Sequence, residues 1–244
     1  MSYKPNPKLA GSGIVACIPQ KGRCPHECPD CFFQSGRSYL EPLDENTPNI
    51  PSMIHDVGHR VVRVNDGNDS NVDREMVLLR TKKFPLRFYN TSYPIDLAGY
   101  EMPVVLTANP GRMVDNGFHL LGEIPANLMF VRALVNMWNL DIVDEIVSSF
   151  TSRNVPVVLT FMAYYQRSVT AGYDNCYVRR VRTQNEYSAI STPAWRGIME
   201  RYQDNLRVYS CGHIEGEDGD TKCKYCGSCL REYFATMERL SKPL

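Results

Sequence analysis

Three cysteines within eight residues, Cys24-Pro-His-Glu-Cys28-Pro-Asp-Cys31, constrain this chain more than any other stretch. The spacing is C-x3-C-x2-C on a segment broken by Pro25 and Pro29, so the thiolates sit on a loop and can converge on one metal centre. A lone structural zinc takes four protein ligands, usually from paired C-x2-C units. An iron–sulfur cluster normally takes four cysteines. Three thiolates at this spacing point to a [4Fe-4S] cluster with one iron left open for another ligand. The alternatives are a zinc site completed by His26 or a distant ligand, and three unrelated buried thiols.

A second group closes the chain. Cys211 ends an apolar stretch, and Cys223-Lys-Tyr-Cys226-Gly-Ser-Cys229 follows a Gly- and Asp-rich loop. The run C-x2-C-x2-C resembles the opening of a bacterial ferredoxin motif, and Cys211 supplies a fourth thiolate. Four thiolates leave no iron open, so the expectation is a closed second [4Fe-4S] cluster. A zinc knuckle on the same residues, with His213 as a further nitrogen ligand, is the alternative. Either metal would staple the last ~35 residues, which have little core of their own.

Nine cysteines in 244 residues would suit a disulfide framework, but the opening Met-Ser-Tyr-Lys-Pro-Asn-Pro-Lys is polar and Pro-broken, unlike a secretory signal. Cysteines in two tight groups therefore read as metal ligands of a cytoplasmic protein. Cys17 reads as a small core hydrophobe. Lys+Arg and Asp+Glu are both 27, so no global basic field indicates nucleic acid as partner. No run of about 18 apolar residues predicts a membrane span.

The rest of the chain alternates strands and helices. Strands are predicted at 11–18, 60–65, 86–90, 103–107, 128–135 and 155–161, with a last one at 206–210. Helices are predicted from a cap at Asp69 or Ser70 to about Lys83, over Asp141–Arg153, and from Thr192-Pro193 onward. A short helix is expected near Ile50–Val57, with His55 and His59 as surface or capping residues. In 141–153 the residues Ile142, Val143, Ile146, Val147 and Phe150 form one apolar stripe. Between Ala163 and Ser191, tyrosines including Tyr164, Tyr173 and Tyr177 interleave with Arg167, Arg179, Arg180 and Arg182; this reads as a surface hairpin or a pocket lining. Leu230–Leu240 is predicted as a short helix packing on the main body.

With the first cysteine motif and this strand order, the chain resembles the radical S-adenosylmethionine (SAM) superfamily. The resemblance implies an α/β fold, a partial (β/α)6 barrel over residues 1–205, with a small metal-binding extension over 206–244 that is similar to the auxiliary-cluster extensions of that superfamily. It implies that Cys24, Cys28 and Cys31 hold the catalytic cluster and that SAM chelates the open iron. The family usually has an aromatic residue before the third cysteine, whose backbone carbonyl meets the adenine amine; Asp30 stands there in this chain. Asp66-Gly67-Asn68 stands where the family carries a Gly-Gly-Glu-like segment that binds the SAM amino group, and it also makes a good turn. Ligands of a parallel sheet bind at the carboxyl ends of its strands, which makes Thr107, Asn109 and Asn136 candidate SAM contacts. The implied activity is hydrogen abstraction from an unidentified substrate by a 5′-deoxyadenosyl radical, with an electron donor such as flavodoxin or ferredoxin. The rival reading is a non-catalytic zinc-binding adaptor for protein or nucleic acid.

Overall fold

The computed structural model describes residues 2–28, 31, 39–40, 48–110, 122–165, 169–182, 185–211 and 223–242. Asp30, Arg112, Arg167, His213 and the loop 212–222 lie outside them.

Six short strands follow one another: β1 Ile14–Cys17, β2 Val61–Val64, β3 Arg87–Thr91, β4 Val104–Ala108, β5 Leu128–Val135 and β6 Val157–Phe161. Three strands of a separate antiparallel sheet come next: β7 Ala163–Tyr165, β8 Tyr177–Arg182 and β9 Asn185–Ile190, in the order β7-β9-β8. Finally β10, Val208–Ser210, returns to the first sheet and pairs with β6, Val208 opposite Val157. The main sheet therefore has seven strands in the order β1-β2-β3-β4-β5-β6-β10, all parallel, curled into a half-barrel. Because the order never reverses, right-handed crossovers put every connecting helix on one face, as in a closed βα-barrel.

β1, β2, β3 and β5 are buried along their lengths, and β1 and β5 read in the sequence as largely apolar runs, whereas β2 reads as a β-branched alternation. Their outer face carries Cys17, Val62, Val64, Tyr89, Val104, Leu106, Val131, Val157 and Leu159. Against it pack the helices α1 Arg74–Thr81, through Val77, and α2 Leu140–Thr151, through Val143, Ile146, Val147 and Phe150. Each such side chain stabilises by about 1.5–3 kcal/mol when fully buried. Helix α3, Thr192–Glu200, begins where Thr192-Pro193 predicts, with the Ser191 hydroxyl accepting from Ala194 N at 3.4 Å.

The inner face carries Val61, Phe88, Val105, Phe130 and Val158. A closed barrel would fill this space with its own strands. Here the helical turn α4, Cys223–Cys226, and the helix α5, Ser228–Ser241, cover it, and Tyr233 is fully buried against those five residues.

Several expectations are adjusted. α1 starts at Arg74 rather than at Asp69 or Ser70, because Asp73 before it is left-handed (φ 50°) and the Asp69 carboxylate is used elsewhere. The short helix near Ile50–Val57 is one π-helical turn, Met53–Val57, and His55 and His59 are exposed. The expected boundary at 205/206 falls just before β10, a strand of the main sheet. The N-terminal arm is clamped: Tyr3 OH donates to Ala16 O at 2.8 Å, and Lys4 N to Asn49 Oδ1 at 2.9 Å. No helix among the described residues is long and apolar enough to cross a membrane.

Candidate metal centres

The parallel sheet sends the carboxyl end of every strand to one edge. The loop after β1 leaves there and carries Cys24, Cys28 and Cys31. It is anchored by Gln20, whose Nε2 donates to the carbonyls of Asp69 (2.8 Å) and Val72 (3.0 Å), and by Arg80 Nη1 donating to Pro19 O at 2.7 Å. Cys31 N donates to Cys28 O at 3.2 Å. Cys24 is buried; Cys28 and Cys31 are half-buried and within electrostatic reach of it. Burial foremost, aided by Asp69, Cys28 and Cys31, pushes the Cys24 thiol up to about 12, against a backbone hydrogen bond at His26 that pulls it down. A bound cation reverses that penalty, because metal ligation takes the thiolate form.

Asp69 organises the ground beneath this loop. Its carboxylate accepts from Thr91 Oγ1 (2.7 Å), Ser92 N (2.6 Å), Ser92 Oγ (2.8 Å) and Asn71 N (2.9 Å), joining the turn after β2 to the end of β3. His26 Nε2 stands 4.0 Å from the same carboxylate, and its ring stacks on Tyr93 at 4.2 Å. The sequence read Asp69 only as a helix cap. Apart from Asn71, its partners lie 22 and 23 residues away, so no local pattern announces the link to β3.

The other expected SAM contacts sit on the same edge. Asp66 is buried and paired with Arg63 and with the Asn6 amide; Gly67 and Asn68 are half-buried. Thr107 is half-buried near the end of β4, and Asn109 is buried just beyond it. Asn136, after β5, is committed to a turn: its Oδ1 accepts from Trp138 N and its Nδ2 donates to Tyr164 OH, both at 3.1 Å. Asp30 lies outside the described residues.

The second cysteine group meets the inner face. Cys211 follows β10, and its N–H extends the ladder to Leu159 O at 2.7 Å. Cys223 and Cys226 bracket α4, Gly227 takes the left-handed conformation between the helices (φ 65°), and Cys229 opens α5. Cys226 Sγ is 3.7 Å from Ser210 O, next to Cys211. Cys223 and Cys229 pack on Leu9, Ile14 and Ala16; Cys211 and Cys229 pack on the Phe88–Phe130 cluster. Burial pushes the Cys223 thiol up to about 12, and that of Cys229 upward too. Thus three of the nine cysteines gather on the β1 loop and four at the inner face. Cys17 is sealed in the outer core, and Cys176 is half-buried beside the small sheet.

Among the described residues no three His, Cys, Asp or Glu side chains converge tightly enough to hold a single metal ion. Cysteine thiolates are the donor set of an iron–sulfur cluster and of a structural zinc alike. A surface groove of about 590 Å³ lined by Met137, Cys176 and Ile198 holds none of the residues of either cysteine group. Compared with known protein families, curated proteins and solved structures, the chain shows no match.

Proposed function

We propose that the chain is a radical SAM enzyme with an additional closed cluster. The observation that carries this reading is the gathering of Cys24, Cys28 and Cys31 on the loop after β1, at the carboxyl edge of a curled parallel half-barrel. When bound there, a [4Fe-4S] cluster supplies the electron that cleaves SAM to methionine and a 5′-deoxyadenosyl radical, which takes hydrogen from a substrate carbon. The chain's own part is to donate three thiolates and withhold a fourth, and to hold the loop rigid through Gln20, Arg80 and Asp69. Gly67, Asn68 and Thr107, half-buried at the same edge, are the residues proposed to meet SAM, with Asp66, Asn109, Asn136 and the Asp30 backbone as further contacts. Cys211, Cys223, Cys226 and Cys229 hold the second [4Fe-4S] cluster, and flavodoxin or ferredoxin serves as electron donor.

Anaerobically reconstituted protein given dithionite and SAM is expected to form 5′-deoxyadenosine, and Cys28→Ala to form none. Equal product from the variant sinks the assignment. Colourless protein that retains zinc in both cysteine groups supports the adaptor reading instead.

A further inference from the structure

The inner face of the half-barrel has two layers. The lower one is apolar: Val61, Phe88, Val105, Phe130 and Val158. Side chains two residues further along a strand share its face, so the upper layer is Arg63, Asn90, Thr107, Arg132 and Thr160. Two guanidinium groups stand in it, and both are buried, at 9% and 8% exposure. Arg63 pairs with Asp66, yet its Nε has no hydrogen-bond partner. Arg132 donates through Nη1 to Asn90 Oδ1 at 3.2 Å and lies 5.8 Å from the Phe130 ring centre. Among the described residues no carboxylate pairs with Arg132. A guanidinium cannot shed its proton to escape burial, so an unbalanced one is a standing penalty.

Besides Asp66 at Arg63, the groups within electrostatic reach of these arginines include thiols. Ala16, on which Cys223 and Cys229 pack, is the register partner of Arg63. Arg63 lies within electrostatic reach of Cys211, Cys223 and Cys229, and Arg132 within reach of Cys229. As thiols these cysteines carry no charge and balance nothing. As metal ligands they are thiolates, and four thiolates around zinc or a four-iron cluster leave a net negative charge.

We propose that Arg63 and Arg132 are the built-in counter-charges of an anionic metal–thiolate group held by Cys211, Cys223, Cys226 and Cys229. This rests on the second metal site proposed above. Among the described residues Asp66 already pairs with Arg63, so the loaded site supplies the counter-charge that Arg132 lacks, and Arg132 acts as a positioning residue for the metal rather than as a ligand.

The test uses the full chain carrying Cys24→Ala, Cys28→Ala and Cys31→Ala, so that only the second group binds metal. Metal retention under chelator and the melting temperature of loaded and metal-free protein are measured with Arg132, R132M and R132K. R132M is expected to weaken metal retention by about 10–100-fold, the range for residues that support metal ligands. R132K, which keeps the charge, is expected to retain metal within a few-fold of Arg132. In the metal-free protein R132M is expected to melt higher than its parent, because the unbalanced charge is gone. If R132M does not accumulate folded, R132Q, which still donates to Asn90 without the charge, is read the same way. Unchanged retention in R132M, or destabilisation of loaded and metal-free forms alike, overturns the proposal. A triple-cysteine variant that binds no metal overturns it together with the second site itself.

Discussion

Asp69 shows how one carboxylate can hold two loops. It accepts from Thr91, Ser92 and Asn71 while lying beside Cys24, so it ties the cysteine loop's foundation to β3. Asp69→Ala is expected to lose at least about 1.5–3 kcal/mol, the value of one hydrogen bond to a charged group, with a smaller loss for Asp69→Asn, both read from urea unfolding. Cys17 behaves oppositely: it is 0% exposed and takes no part in either cysteine group. Cys17→Ser is expected to cost about 1–3 kcal/mol by burying a hydroxyl in an apolar site. Burial raises the Cys17 thiol from 9.0 to about 12, partly offset by Lys83. The folded state thus holds this proton more tightly than the unfolded chain. Its contribution is constant below about pH 9 and is lost as pH rises towards 12. Cys17→Ala is expected to remove that part of the alkaline decline, seen by comparing urea midpoints at about pH 8 and about pH 11.

At the scale of elements, the parallel strands were legible because most of their residues are buried, so they read as short, largely apolar or β-branched stretches between turn signals. β5 was read at its observed bounds, Leu128–Val135. The α2 stripe was legible for the corresponding reason: a helix with one buried face shows a 3.6-residue period. The stretch from Ala163 to Ser191 faded because its sheet is half in solvent. In β8, Val181 is 70% exposed, while Tyr177 before it is buried in an aromatic cluster with Trp138 and Tyr164. The α5 helix was legible as a helix but not as the filling of the barrel, because its partners on five strands are scattered over a hundred residues of sequence. Tyr233→Ala leaves a cavity against Phe88 and Phe130, and is expected to cost about 3–5 kcal/mol in denaturant unfolding.

For the whole molecule, both cysteine groups were found in the sequence by spacing alone, whereas the buried arginines between strands and thiols were not. Arg63 and Arg132 sit in short apolar strands where a lone basic residue looks like an interruption of the pattern. Only the register of the sheet shows them on one face. The half-barrel also has a consequence for synthesis. Its inner face is covered by α5, which follows β6 by about 70–80 residues, so roughly 4–16 s of translation separate the two. Throughout that interval a nascent sheet has Phe88, Phe130 and two guanidiniums on a face that awaits its cover. Cys229 leaves the ribosome just ahead of Tyr233, the residue that plugs the interior, so the thiols of the second group reach the inner face in the same moment as its cover.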